Sequence, residues 1–207
     1  MVAEERHDTG NEIDRDLEGW LQETCPVTLT LMEADALKLD WKEVHPGKAL
    51  RIVGNLPYNI SSPLLFHLMT VADRVIDQHF MLKKEVVDRM VATPGSKVYG
   101  RLSVMLQYRY RMQKMFDVPP GAFTPAPKVT SSIVRMVPRK VDELLPVDLE
   151  RFAVIVAAAF NQRRKTLRNA LAKLLTEKDI KKAGVDPALR AEALDVEAFV
   201  RLARINS

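Results

Sequence analysis

Residues 51–66 read "RIVGNLPYNISSPLLF", and the fold turns on how this stretch is parsed. Leu50, Ile52 and Val53 form a buried-strand run that stops at Gly54-Asn55. The chain then turns through Leu56-Pro57-Tyr58 and restarts as an apolar helix after Ser61-Ser62-Pro63. A hydroxyl N-cap and a proline at the first helical position both favour that restart. Ligands of open parallel α/β sheets bind beyond the carboxyl ends of the strands. A strand tip bearing an amide, a proline and an aromatic ring is therefore a candidate ligand corner.

Working outward, "LTLMEAD" (29–35), "ALRIVGN" (49–55) and "VIDQHFML" (75–82) read as strands. "SSPLLFHLMTVAD" (61–73) reads as a helix, and so does "KKEVVDRMVAT" (83–93), stopped by Pro94-Gly95. "LSVMLQYRY" (102–110) and "SSIVRMVP" (131–138) complete a strand-helix alternation whose late strands lie close together. The order predicts an α/β domain with a mainly parallel sheet and a hairpin-like end. After Pro138 strand signals cease, and a small helical domain follows a boundary near 142. Asp186-Pro187 and Asp195 read as helix starts there, and Gly184 as a helix stop. A single helix over 152–175 would bring Arg164 close to the face that carries Phe160, Leu167, Leu171 and Leu174. A break near Asn161 avoids that and turns "QRRKTLR" outward as a basic ridge, either a phosphate grip or a solvated face.

Charge is divided unevenly. Residues 1–50 carry a net −7 and the remainder +11, which favours a polyanionic partner on the later part of the chain. No stretch reaches the roughly 18 to 20 uncharged apolar residues of a membrane span. The acidic start "MVAEERHDTGNEIDRD" is not a secretory signal, and the one cysteine, Cys25, cannot close an internal disulfide. These features predict a cytoplasmic protein without membrane association, and Cys25 reads as a small buried hydrophobe. The four histidines (His7, His45, His67, His79) lack metal-ligand spacing, so no metal is expected.

The corner itself suggests a chemistry. An exocyclic amine on a nucleobase is a poor nucleophile because its lone pair is delocalised into the ring. Two acceptors on its hydrogens, an Asn oxygen and a backbone carbonyl fixed by proline, favour the pyramidal form that can attack. Tyr58 offers a stacking face, worth roughly 1–3 kcal/mol per base. The alternative is an ordinary strand-to-helix turn.

"GNLPYNISSPLLFHL" (54–68) resembles the amine-binding motif of the ribosomal RNA adenine N6,N6-dimethyltransferases, above all the small-subunit, kasugamycin-resistance family of bacteria. The likeness extends to "LKKEVVDRMVATPGSKVYGRLSVMLQ" (82–107), "VPPGAFTPAPKVTSSIVRMVP" (118–138) and "AFNQRRKTLRNAL" (159–171), and it covers nearly everything after residue 11. It implies a Rossmann-like class I methyltransferase domain over 1–142 and a helical RNA-binding, ribosome-docking domain over 143–207. The donor implied is S-adenosylmethionine, with no metal. The target implied is two adjacent adenosines in a hairpin loop near the 3′ end of small-subunit rRNA, in the precursor 30S subunit, with the enzyme acting as a monomer.

Carried over by motif, Asn55 and the backbone of Leu56, held by Pro57, accept from the adenine amine. Tyr58 stacks on the flipped base, and Phe123 of "AFTPAPKV" closes its other face; without the resemblance Phe123 reads as a core aromatic. Glu12 matches the acid on the donor's ribose and Asp35 the acid on its adenine, with Asn55 adjoining the donor. Lys83, Lys97, Arg101, Arg163, Arg164 and Lys165 are candidate phosphate contacts.

The chain departs from the family at its start. The family begins with a glutamine-asparagine-phenylalanine segment, a helix, and a first strand ending in a glycine-rich turn beside the donor's methionine part. None of these is present, and the absent strand lies mid-sheet, so two ladders are expected to go unpaired. Asn11 also stands where an apolar strand residue is expected. Three explanations compete: a misassigned start or disrupted frame, a short form that binds RNA without methylating it, or residues 1–11 substituting for the strand. The leading function is rRNA adenine dimethylation. The alternative is a ribosome-assembly factor that binds pre-30S rRNA only, and a third reading, the macrolide-resistance relative acting on large-subunit rRNA, is disfavoured by "FNQRRKTLRNAL".

Overall fold

The computed structural model describes residues 8–12, 29–57 and 59–205. Strand β1 (Asp8–Glu12) pairs in parallel with β2 (Leu29–Glu33), matching Glu12 with Glu33. A second sheet has the order β3-β4-β6-β5, built from β3 (Leu50–Asn55), β4 (Val75–Lys83), β5 (Tyr110–Val118) and β6 (Ser131–Pro138). β3 and β4 are parallel, whereas β4–β6 and β5–β6 are antiparallel, so the late strands form the anticipated hairpin-like end. Among the described residues no ladder joins the β1–β2 pair to β3, and the strands form two separate sheets. Residues 8–12 pair with β2 rather than lying along β3.

Helix α1 (Ser61–Leu68) is followed by a 3-10 turn over Met69–Arg74; α2 spans Lys84–Met90 and α3 Arg101–Arg109. Their apolar sides bury one face of the second sheet: Leu65, Leu68, Val87, Met90 and Leu106 pack on Phe80, Leu82, Val134 and Met136. At roughly 1.5–3 kcal/mol for each large side chain, that burial is the main force holding β3 and β4 in register. The opposite face is more open, with Val53 78% and Phe116 60% exposed. There the buried Asp77 carboxylate stands 3.5 Å from Arg51 and 3.6 Å from Arg135.

Beyond Pro138 the described chain is helical: α4 (Leu149–Asn161), α5 (Leu167–Ala170), α6 (Glu177–Lys182) and α7 (Val196–Ala203), with short 3-10 turns between. α3 serves both clusters. Its Leu106 faces the sheet, while Val104, Met105 and Tyr108 join Phe152, Ile155 and Val156 of α4. Tyr108 and Phe152 pack with ring centroids 5.1 Å apart and planes tilted by 45°.

Several local expectations change. α1 takes Ile60 as N-cap with no side-chain cap bond, so Pro63 is the third helical residue rather than the first. Residues 101–109 are helix where "LSVMLQYRY" (102–110) reads as a strand, and the strand is "YRMQKMFDV" (110–118). Asp186-Pro187 opens a turn, in which the Asp186 side chain accepts from the Ala188 amide at 2.8 Å, and not a helix. Three others agree with the structure. α4 ends at Asn161, Gly184 takes a left-handed φ of 72° after α6, and the Asp195 side chain caps α7 by accepting from the Ala198 amide at 2.7 Å.

Candidate functional site

Asn55 is the last residue of β3, exposed at the strand tip and in register with Met81 of β4. The ladder continues one step past it, with the Leu56 amide donating to the Met81 carbonyl at 3.2 Å. Leu56 buries its side chain in the sheet cluster, and Pro57 is exposed. A residue before proline is held extended. The Leu56 backbone is thus fixed by a buried side chain, a ladder hydrogen bond and a following proline. The Pro57 carbonyl then accepts from the Ile60 amide at 3.2 Å and closes the turn into α1. Tyr58 lies outside the described residues.

Strand register brings other groups to the same sheet end. Asn55 aligns with Met81, Met81 with Ile133, and Lys83, two residues on, with Ser131. Val118 is also paired with Ser131, so the 119–130 loop between β5 and β6 emerges at the end where Asn55 sits. Phe123 lies in that loop, half-buried and in neither apolar cluster, so it is not a core aromatic. The loop holds itself lightly: the Ala122 and Phe123 amides donate to Pro119 and Pro120 at 3.1 and 3.2 Å. Its far end is tied by the Lys84 amide, which donates to the Thr130 carbonyl at 2.9 Å.

Glu12 and Asp35 follow from the parallel β1–β2 pair, whose strands end together at Glu12 and Glu33. The Asp35 carboxylate, half-buried, accepts from the Leu37 amide at 3.0 Å and stands 3.8 Å from the Lys38 ammonium. The Glu12 side chain and Cys25 lie outside what is described. Against a sulfonium donor built on adenosine, the half-buried Asp35 carboxylate beyond β2 is an acceptor of the kind an adenine amine needs, while Glu12 is placed by its backbone alone at the end of β1. Among the described residues there is no glycine-rich turn to receive the methionine part. Of the donor's parts, the described side chains suit the adenine end, through Asp35.

The basic candidates divide. Lys83 is the N-cap of α2, at the sheet end. Arg163 joins the chain before α3, where Lys97 and Arg101 lie, to the turn after α4 that carries Arg164 and Lys165. The Arg163 guanidinium donates to the carbonyl oxygens of Lys97 and Tyr99 at 3.1 and 2.9 Å and stands 3.6 Å from Glu192. It works as a brace between the two segments, while Arg164, Lys165, Lys97 and Arg101 are exposed. Tyr99 is wholly buried beneath, its ring edge-on to Phe160 at 6.1 Å. Burial, then the nearby Asp195, pushes its phenol well above the usual range. No described helix is long and apolar enough to cross a membrane.

Sequence reasoning missed one group at the site end. Lys84, Asp88, Lys114, Asp117 and Ser132 form a connected set beneath the Phe123 loop. A β-bulge brings Asp117 onto the face of Lys114, and residue spacing does not signal that.

The profile of the ribosomal RNA adenine dimethylase family matches residues 2–206. The chain is 59% identical over 192 residues to the ribosomal RNA small subunit methyltransferase A of Aromatoleum aromaticum, covering 92% of this chain and 72% of that protein. It is 56% identical to the protein of the same name from Bordetella petrii, covering 95% and 74%. Among solved structures, the fold is similar to a dimethyladenosine transferase from Plasmodium falciparum, with a TM-score of 0.75 at 22% identity over 94% of this chain and 79% of that one. It is also similar to the 23S rRNA methyltransferase ErmE, with a TM-score of 0.69 at 24% identity over 96% and 82%.

Proposed function

The chain belongs to the ribosomal RNA adenine dimethylase family, and on that premise we propose that it dimethylates adenine N6 in small-subunit rRNA. The carrying observation is the identity of 59% over 92% of the chain to a small-subunit methyltransferase. The sites are two adjacent adenosines in a hairpin loop near the 3′ end, modified in the precursor 30S subunit. S-adenosylmethionine supplies an electrophilic methyl group on a sulfonium.

The residues of this chain bind and orient. Asn55 and the Leu56 carbonyl accept the two hydrogens of the adenine amine and localise its lone pair. A carbonyl that cannot swing aside keeps that geometry, and the anchoring of Leu56 supports this role. Tyr58 and Phe123 sandwich the flipped base, whose unstacking from a loop costs a few kcal/mol. Phe123, half-buried in a loop at that sheet end, is free to take such a role. Glu12 and Asp35 hold the donor's ribose and adenine. Residues 1–142 form the catalytic domain and residues 143–207 the docking domain, with Lys83, Lys97, Arg101, Arg164 and Lys165 on phosphates and Arg163 holding their surface in shape.

A second reading, a pre-30S binding factor that does not methylate, is favoured by one observation: among the described residues β3 pairs on one side only. Incubating the purified chain with S-adenosylmethionine and unmodified 30S particles separates the two. N6,N6-dimethyladenosine at two adjacent positions, found by mass spectrometry of the rRNA, supports the enzyme. Salt-sensitive RNA binding with neither product nor calorimetric heat from the donor supports the binder.

A further inference from the structure

Beneath the Phe123 loop, four charged side chains and a hydroxyl connect α2 to the β5–β6 hairpin. Lys84 donates to Asp88, one helical turn on, at 2.5 Å. Asp88 also accepts from Lys114 of β5 at 3.1 Å. Lys114 reaches Asp117 at 2.7 Å, and Asp117 accepts from the Ser132 hydroxyl of β6 at 2.5 Å.

Lys114 and Asp117 are three residues apart, and in a regular strand such residues point to opposite faces. The register with β6 shifts between Lys114 and Phe116, leaving Met115 as the extra residue of a bulge. The bulge puts Lys114 and Asp117 on one face, toward α2, and turns Met115 outward, 46% exposed. Bulges re-aim side chains in this way beside functional sites.

The placement is at the root of a loop. Asp117 and Ser132 are register partners next to the last ladder pair before residues 119–130. The far end is held by the Lys84 amide on the Thr130 carbonyl. Among the described residues no hydrogen bond holds Thr124–Val129, so the loop takes its position from its two ends. Lys84 and Asp88 lie on the helix that leaves β4, and β4 is the strand paired with Asn55.

We propose that Asp88 and Lys114 are positioning residues: through Asp117 and Ser132 they set the Phe123 loop relative to the Asn55–Leu56 corner. The proposal rests on reading that corner as the base pocket. The fold does not need the network. Its four charged members are partly exposed, and ion pairs of that kind contribute about 0–1 kcal/mol, against fifteen buried residues in the sheet cluster.

The test compares the full chain with Lys114→Met, Asp88→Asn and the charge-preserving Lys114→Arg. Hydrogen–deuterium exchange is read in peptides over 119–131 and over β4, and methyl transfer is read on 30S particles. Lys114→Met and Asp88→Asn should speed exchange in the loop but not in β4. They should lower kcat about tenfold with KM unchanged, and Lys114→Arg should restore both. Unchanged loop exchange overturns the proposal, whatever the activity. Faster exchange with unchanged kcat overturns it also, as does exchange that rises equally in β4. If the wild-type chain transfers no methyl group, the base-pocket reading fails instead, and exchange alone decides whether the network holds the loop.

Discussion

The Cδ2 atom of Leu56 lies 3.0 Å from where a β-carbon on Gly54 would stand, with the Phe80 ring behind it at 3.5 Å. The glycine therefore makes room for the side chain that anchors the corner. In Gly54→Ala the buried Leu56 has to give by a few tenths of an ångström and carries its carbonyl with it. Overpacking of this kind costs about 1–3 kcal/mol. Thermal melting should show that loss, and methyl transfer should fall by more than stability alone explains. Unchanged activity in a destabilised variant would separate Leu56 from the chemistry.

Asn55 is at the strand tip and exposed, and its side chain has no packing role. Asn55→Ala should leave the melting temperature and RNA affinity nearly unchanged while removing transfer. Loss of a single positioned hydrogen-bonding group in an active site typically costs about 10²–10³ in kcat. RNA affinity from filter binding, set beside product from the same preparation, checks this. Parallel loss of both would show that Asn55 holds the RNA rather than activates the amine.

Arg163 and its neighbour Arg164 should behave differently despite identical chemistry. Arg163→Ala removes bonds to the Lys97 and Tyr99 carbonyls and should destabilise the chain by about 1–3 kcal/mol. Arg164→Ala should leave melting unaltered. It should weaken RNA binding and lower the salt slope by about one phosphate contact. The salt dependence of the dissociation constant distinguishes them; an unchanged slope in Arg164→Ala would remove that residue from the interface.

Legibility in the sequence followed how local the physics was. β3 was readable because its apolar run ends at Gly54-Asn55, and the end of α4 because a longer helix would have pressed Arg164 onto an apolar face. β5 was not, since its alternation is interrupted at Met115 and its edge position leaves most side chains exposed. Ser61-Ser62-Pro63 looked like a capped start because Ile60, an unusual cap, gives no signal. Asn55 and Leu56 could be named from their motif. Arg163 shares a basic run with Arg164 and Lys165, and the run does not tell which guanidinium also bonds backbone carbonyls more than sixty residues away. The Lys114–Asp117 contact depends on a bulge, and the Asp88–Lys114 contact on tertiary packing.

That contact also has a pH signature. Burial pushes the Asp88 carboxyl up, but hydrogen bonds from Lys84 and Lys114 outweigh it and hold the group below its usual 3.8. Asp117 is held below the same value by Lys114 and then by the Ser132 hydroxyl. On the other side, Asp117 first, opposed by desolvation, and then Asp88 push the Lys114 ammonium above its usual 10.5. A carboxylate with a lowered pKa stabilises the fold fully above 3.8, and that contribution fades as pH falls below it. An ammonium with a raised pKa contributes fully below 10.5 and loses its contribution as pH rises beyond. Wild type and the Asp88→Asn, Lys114→Met double variant should therefore differ in urea midpoint by a constant amount between about pH 5 and 9. The difference should shrink on acidification below 3.8 and again above 10.5. A gap that persists undiminished at acid pH would mean that these side chains stabilise the fold by packing rather than by charge.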